Sequence, residues 1–158
     1  MQLSRNFSLA EFTRSNTAAR LGLSNTPPAD LMPRLIATAE ELEKVRTALG
    51  DGPITVLSGF RSFQVNKAVG GSNTSAHCLG FAVDFKRPGM TVREVVLALK
   101  KTPLKFDQLI DEFGQWVHIG FGPGERQRLR RRWKAERRAG QLPPRQQGCQ
   151  RRKNNRPC

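Results

Sequence analysis

Two short apolar runs, each broken by a single residue able to bind a cation, constrain this chain more than any other feature of its sequence. The first is Phe81-Ala82-Val83-Asp84-Phe85; the second is Trp116-Val117-His118-Ile119. A carboxylate inside an apolar strand is costly unless it is paired or bound to metal. One further histidine exists, His77, seven residues before Asp84 and just after the Gly/Ser/Asn loop Gly70–Ser75. A lone histidine is more often a satisfied structural residue than a ligand. Three candidate ligands in apolar surroundings are what a buried cation site needs. Two imidazoles and one carboxylate suit zinc, and a catalytic zinc site leaves its fourth position to a water. The metal lowers the pKa of that water to about 7 and polarises the carbonyl under attack.

The elements around these residues can be read from periodicity and punctuation. Ser8 and Glu11 form a capping box for a short helix. Residues 24–29 read as a loop. Leu31, Leu35, Ile36, Ala39, Leu42, Val45 and Leu49 share one face of a helix predicted from Asp30 to Leu49, which Gly50-Asp51-Gly52-Pro53 ends. Ile54–Phe60 and Phe81–Phe85 read as strands. Arg61–Ser75 holds a short helix and the glycine-rich loop, with Gly80 expected to turn the backbone beside the metal. Thr91 and Glu94 form a second capping box, opening a helix to about Lys100. Phe106–Glu112 and Trp116–Phe121 read as a hairpin through Gly114.

Peptide hydrolysis also needs a group that takes a proton from water and passes it to the leaving nitrogen. Glu112 is the candidate. If Phe113-Gly114-Gln115 form a three-residue loop, Glu112 faces Trp116 and Ile110 faces His118. Glu112 and His118 are then diagonal neighbours on one face, about 7–8 Å apart at the backbone. A two-residue loop would turn Glu112 away. The alternative for Glu112 is a solvated acid at a hairpin tip.

Ser58-Gly59-Phe60-Arg61-Ser62, Ser75-Ala76-His77 with Gly80, Ala82 and Asp84, and Trp116-Val117-His118 together resemble the zinc D-Ala-D-Ala carboxypeptidase and endolysin family. Its superfamily includes the zinc-binding domain of Hedgehog proteins. Phe7-Ser8-Leu9, Glu11-Phe12, Ser15, Asn66 and Gly70-Gly71 extend the resemblance, which covers roughly residues 5–121. It implies that His77, Asp84 and His118 hold zinc and that Arg61 binds the substrate carbonyl and steadies the oxyanion. A fixed guanidinium suits that task; the other reading of Arg61 is a structural ion pair. Many members carry the catalytic acid three residues before the last histidine, where this chain has Gln115, which cannot act as a base. The Hedgehog-like arrangement puts a glutamate six residues before it, at Glu112. Trp116, Ser62 and Gln64 are weaker candidates for the substrate cleft, with core packing the alternative for Trp116 and helix capping for Ser62. Cys78 adjoins a ligand and reads as a buried free thiol.

The 158-residue chain carries a net charge of +14, unevenly spread. Residues 1–121 hold 14 Lys/Arg against 11 Asp/Glu; residues 122–158 hold 13 against 2. The reading is a metallopeptidase domain over 1–121 and a basic tail over 122–158, helical within Glu125–Arg138 and disordered from Gly140. The tail suits an anionic envelope polymer or lipid, or simple solvation; a nucleic-acid role has no recognised motif behind it. Three widely spaced cysteines are no disulfide framework, although Cys149 and Cys158 lie close enough in sequence to pair. Met1–Arg20 lacks the apolar core of a signal peptide, which favours a phage-type lysin delivered to the cell wall or periplasm by another factor.

The expected fold is α+β: a small antiparallel sheet, Hedgehog/D-Ala-D-Ala peptidase-like, with helices packed on one side and a zinc cleft on the sheet. The expected function is zinc-dependent hydrolysis of peptidoglycan stem peptides by a monomer, as a carboxypeptidase or an endolysin-type endopeptidase. The rivals are a non-catalytic zinc module that binds cell wall or a protein, and a nucleic-acid binder acting through the tail.

Overall fold

The computed structural model describes residues 1–123 and 128–132. Side-chain caps set where its helices begin. Ser8 accepts from the Glu11 N–H while the Glu11 carboxylate accepts from the Ser8 N–H, starting α1 (Leu9–Thr13). Ser15 caps α2 (Asn16–Leu21), a helix the sequence pattern did not suggest because its single buried residue, Ala18, leaves no apolar stripe. The expected helix from Asp30 to Leu49 is a 3-10 turn, Ala29–Leu31, followed by α3, Met32–Ala48. Ser62 caps α4 (Phe63–Ala68), and the Thr91–Glu94 box opens α5 (Val92–Leu99).

The strands are β1 (Thr55–Ser58), β2 (Ala82–Lys86), β3 (Gln108–Glu112), β4 (Trp116–Gly120) and β5 (Arg128–Arg132). They form one sheet in the order β1-β2-β4-β3-β5. The first four pair antiparallel. β1 is shorter than the predicted Ile54–Phe60 because the chain leaves the sheet at Gly59, where Phe60 donates to the Phe12 carbonyl at 2.8 Å.

Alternation divides the sheet into two faces. Val56, Val83, Phe85, Leu109, Val117 and Ile119 point to the core, where Phe12 of α1, Leu35, Ala39, Leu42 and Val45 of α3, and Val95 and Leu99 of α5 cover them. Asp84, Ile110, Glu112, Trp116 and His118 point the other way, into a cleft. α4 and the glycine-rich loop supply part of its wall.

The helical reading of Glu125–Arg138 is corrected where the structure describes it. Residues 128–132 form β5, parallel to β3, with Gln108 opposite Arg128 and Glu112 opposite Arg132. β5 pairs with the outer edge of β3, whose backbone groups a strand satisfies and a helix does not. The rest of that segment, the disordered reading from Gly140, and Cys149 and Cys158 lie outside the described residues.

Candidate metal centre

Asp84 and His118 meet because β2 and β4 pair with these two residues directly opposite one another. His118 Nδ1 lies 2.8 Å from Asp84 Oδ1. His77 arrives from outside the sheet. A tight turn in which Gly80 donates to the His77 carbonyl, with Gly80 at φ 73°, lowers its ring onto the pair. His77 Nε2 then sits 3.2 Å from His118 Nδ1 and 3.3 Å from Asp84 Oδ1.

All three side chains are buried, and one ligand atom from each falls within 4.8 Å of the others. His77 Nδ1 is 2.6 Å from the Gly59 carbonyl, which can only accept, so Nδ1 carries the proton. The Nε2 lone pair is therefore left facing Asp84 and His118. A backbone carbonyl that fixes the tautomer of a histidine in this way is the usual outer partner of a metal ligand. Two nitrogens and one carboxylate oxygen, converging in a buried pocket, fit a zinc ion.

Electrostatics keep the set in its ligating forms. Burial pushes His77 below its ordinary value of 6.5, against the pull of Asp84, while Arg61 and His118 add to the lowering. Burial alone would raise the Asp84 carboxyl, but the neighbouring His77 and His118 imidazoles outweigh it and hold it well below the usual carboxylate range. The Arg61 Nη2 donates to Asp84 Oδ2 at 3.0 Å. The ion-pair reading of Arg61 thus holds, and its partner is the central carboxylate of the site. Arg61 Nε is buried without a partner among the described residues.

The hairpin loop has three residues, Phe113 and Gly114 at φ 58° and 67° and then Gln115. The register puts Glu112 opposite Trp116 and Ile110 opposite His118. Glu112, Trp116, Arg61, His77, Asp84 and His118 all line the same cleft, whose volume is about 1320 Å³. Trp116 is half-buried and packs edge-on against Phe113. Ser62 and Gln64 are not among the lining residues. Ser62 instead caps α4 and donates to the Ser24 carbonyl, and Gln64 is exposed. Cys78 is a buried free thiol. The Gly59 carbonyl is the contact that sequence reasoning missed. Gly59 stands in the motif, but a backbone acceptor leaves no mark on residue type.

The chain is similar to known proteins. A zinc D-Ala-D-Ala carboxypeptidase from Streptomyces albus G is 39% identical over 79 residues, a stretch covering 50% of this chain and 30% of that protein. The chain therefore matches under a third of the length of that relative. The family described as peptidase M15 matches residues 5–120, which takes in β1 to β4 and every residue converging on the candidate centre. A match over residues 5–120, most of the chain and including His77, Asp84 and His118, makes the chain a member of the peptidase M15 family.

Proposed function

We propose that this domain is a zinc-dependent peptidase that hydrolyses peptidoglycan stem peptides, as a D-Ala-D-Ala carboxypeptidase or as an endopeptidase of the endolysin type. Family membership and the zinc carboxypeptidase named among its relatives support the reaction class. The observation that carries the reading is the β3–β4 register, which puts the Glu112 carboxylate on the wall of the cleft that holds His77, Asp84 and His118.

His77 Nε2, Asp84 and His118 Nδ1 would hold the zinc ion. When bound, zinc supplies a Lewis acid for the scissile carbonyl and lowers the pKa of water to about 7. Glu112 accepts the proton of the attacking water as the C–O bond forms. It returns that proton to the amide nitrogen as the C–N bond breaks. Arg61, held by Asp84, directs its remaining N–H groups at the carbonyl oxygen, where negative charge develops. Trp116 and Phe113 form an aromatic wall for the peptide. The cleft is larger than the roughly 300–1,000 Å³ of common small-molecule sites, which suits a peptide of several residues. Among the described residues no helix is long and apolar enough to cross a membrane. Action at the bacterial wall, with the basic tail resting on an anionic envelope polymer, completes the reading.

Metal analysis and digestion of purified peptidoglycan, with the released peptides weighed by mass spectrometry, test it. His77→Ala loses zinc. Glu112→Gln keeps zinc and loses about 100-fold or more in cleavage. Undiminished cleavage by Glu112→Gln would overturn the assignment of the base.

A further inference from the structure

The cleft reaches well beyond the metal centre. On the β1 side it is bounded by Arg14, Ser15, Asn16 and Thr17, from the junction of α1 and α2. Arg14 stands at the extended residue that ends α1, and its Nη2 donates to the Val56 carbonyl at 3.1 Å. That bond ties the guanidinium to the outer edge of β1. The charged residues lining the cleft are Arg14, Arg61, Asp84 and Glu112. Arg61 is already paired with Asp84. Among the described residues, Arg14 is thus the cleft cation without a carboxylate partner, and one bond occupies only part of its five-donor fork.

We propose that Arg14 is a specificity residue that binds a carboxylate carried by the peptide substrate, away from the scissile bond. The site would take an acidic peptide, and the contact rests on the peptidase reading given above. The sheet sets the separation. Val56 is two residues along β1 from Ser58, which pairs with Asp84. The register shifts between Val56 and Ser58, so at most two residues of strand, about 7 Å, and one strand spacing, about 4.8 Å, separate the Arg14 anchor from the candidate centre at the backbone. An extended peptide covers that span in two to three residues, at about 3.3–3.6 Å each. The recognised carboxylate therefore belongs two or three residues from the bond that is cut. A guanidinium fixed at one nitrogen is pre-organised for such a partner, and it selects among peptides through binding rather than through the chemical step.

The test uses a peptide pair differing only in that carboxylate and its carboxamide, with the full-length zinc-loaded protein. Steady-state kinetics should favour the acid by about fivefold in kcat/KM, carried by KM, the size expected of a solvent-accessible ion pair. Arg14→Gln should abolish the preference for the acid over the amide, and Arg14→Lys should retain it. Calorimetric titration of both peptides into zinc-loaded Glu112→Gln protein, with and without Arg14→Gln, reads the same contact without turnover. If neither peptide is cut yet the acid binds better in an Arg14-dependent way, the peptidase reading fails and the carboxylate site stands. Equal handling of acid and amide by the unsubstituted protein, or an equal loss for both in Arg14→Gln, would overturn the proposal.

Discussion

At the scale of single residues, Gly59 supports the candidate centre through its carbonyl, 2.6 Å from His77 Nδ1. A Cβ at Gly59 would lie 2.8 Å from both the Phe12 carbonyl oxygen and the Phe12 ring, and Phe12 is wholly buried. The carbonyl cannot yield without breaking its bond to the Phe60 N–H. Gly59→Ala should therefore cost about 2 kcal/mol of stability by overpacking. Because Gly59 also orients His77, zinc affinity should fall about 10- to 100-fold. Thermal melting and competition with a chelating dye measure the two effects, and an unchanged affinity would remove Gly59 from the centre's support. Asp84 and His118 were legible in the sequence because each is the wrong polarity for its strand. Gly59 was not, because any residue offers a carbonyl and only the tertiary fold shows which histidine it meets.

At the scale of elements, legibility followed apolar content. β2, β4 and α3 each bury a face, so their patterns declared them to within a residue or two. β5 is written almost wholly in arginine, and nothing within it distinguishes a strand from a helix. Its state is decided by the open edge of β3, a partner that exists only once the sheet has formed. Removing residues 124–158 should leave zinc bound but let β3, the strand that carries Glu112, fray at that edge. The expected losses are about 2 kcal/mol of stability, from several backbone bonds at roughly 0.5–1.5 kcal/mol each, and a lower kcat. Denaturant melts and single-turnover cleavage check this, and unaltered stability would mean that β5 contributes nothing to the sheet. A second device ties the N-terminal segment to α3. The half-buried Glu43 accepts from Ser4 Oγ, the Asn6 N–H and the Asn6 amide at 2.8, 2.6 and 2.8 Å. Burial opposes ionisation, but these bonds hold the Glu43 pKa below its ordinary 4.5. A depressed carboxyl stabilises the fold above its unfolded value and ceases to as pH falls through the folded one. Glu43→Ala should accordingly cost about 1 kcal/mol at pH 7, given solvent screening, and progressively less in acid below pH 4.5. Urea midpoints at pH 7 and pH 3 would expose a cost that fails to shrink.

At the scale of the whole molecule, the sheet is a partition. One face binds α1, α3 and α5 into the core; beside the other, candidate ligands from three separate stretches of chain converge. His77 sits in a turn outside the sheet, Asp84 on β2 and His118 on β4, 41 residues beyond His77. A zinc ion held by all three joins segments that the unfolded chain leaves apart, so binding should act as a global stabiliser. At zinc concentrations a hundredfold above the dissociation constant the gain is about 2.7 kcal/mol. For a domain of this size each kcal/mol moves Tm by roughly 2–4 °C, so chelation should lower Tm by about 5–10 °C. Acid acts in a direction fixed by His77. Its folded pKa lies below 6.5, so between that value and 6.5 the unfolded chain binds a proton that the folded chain refuses. Stability therefore falls as pH drops beneath 6.5, and protons displace zinc once the folded imidazole itself takes one up. The Tm difference between zinc-loaded and chelator-treated protein should hold at neutral pH and close in acid. His118→Ala should abolish that difference at every pH, whereas Glu112→Gln should preserve it. A difference that survives His118→Ala would place the stabilising ion somewhere other than this cleft.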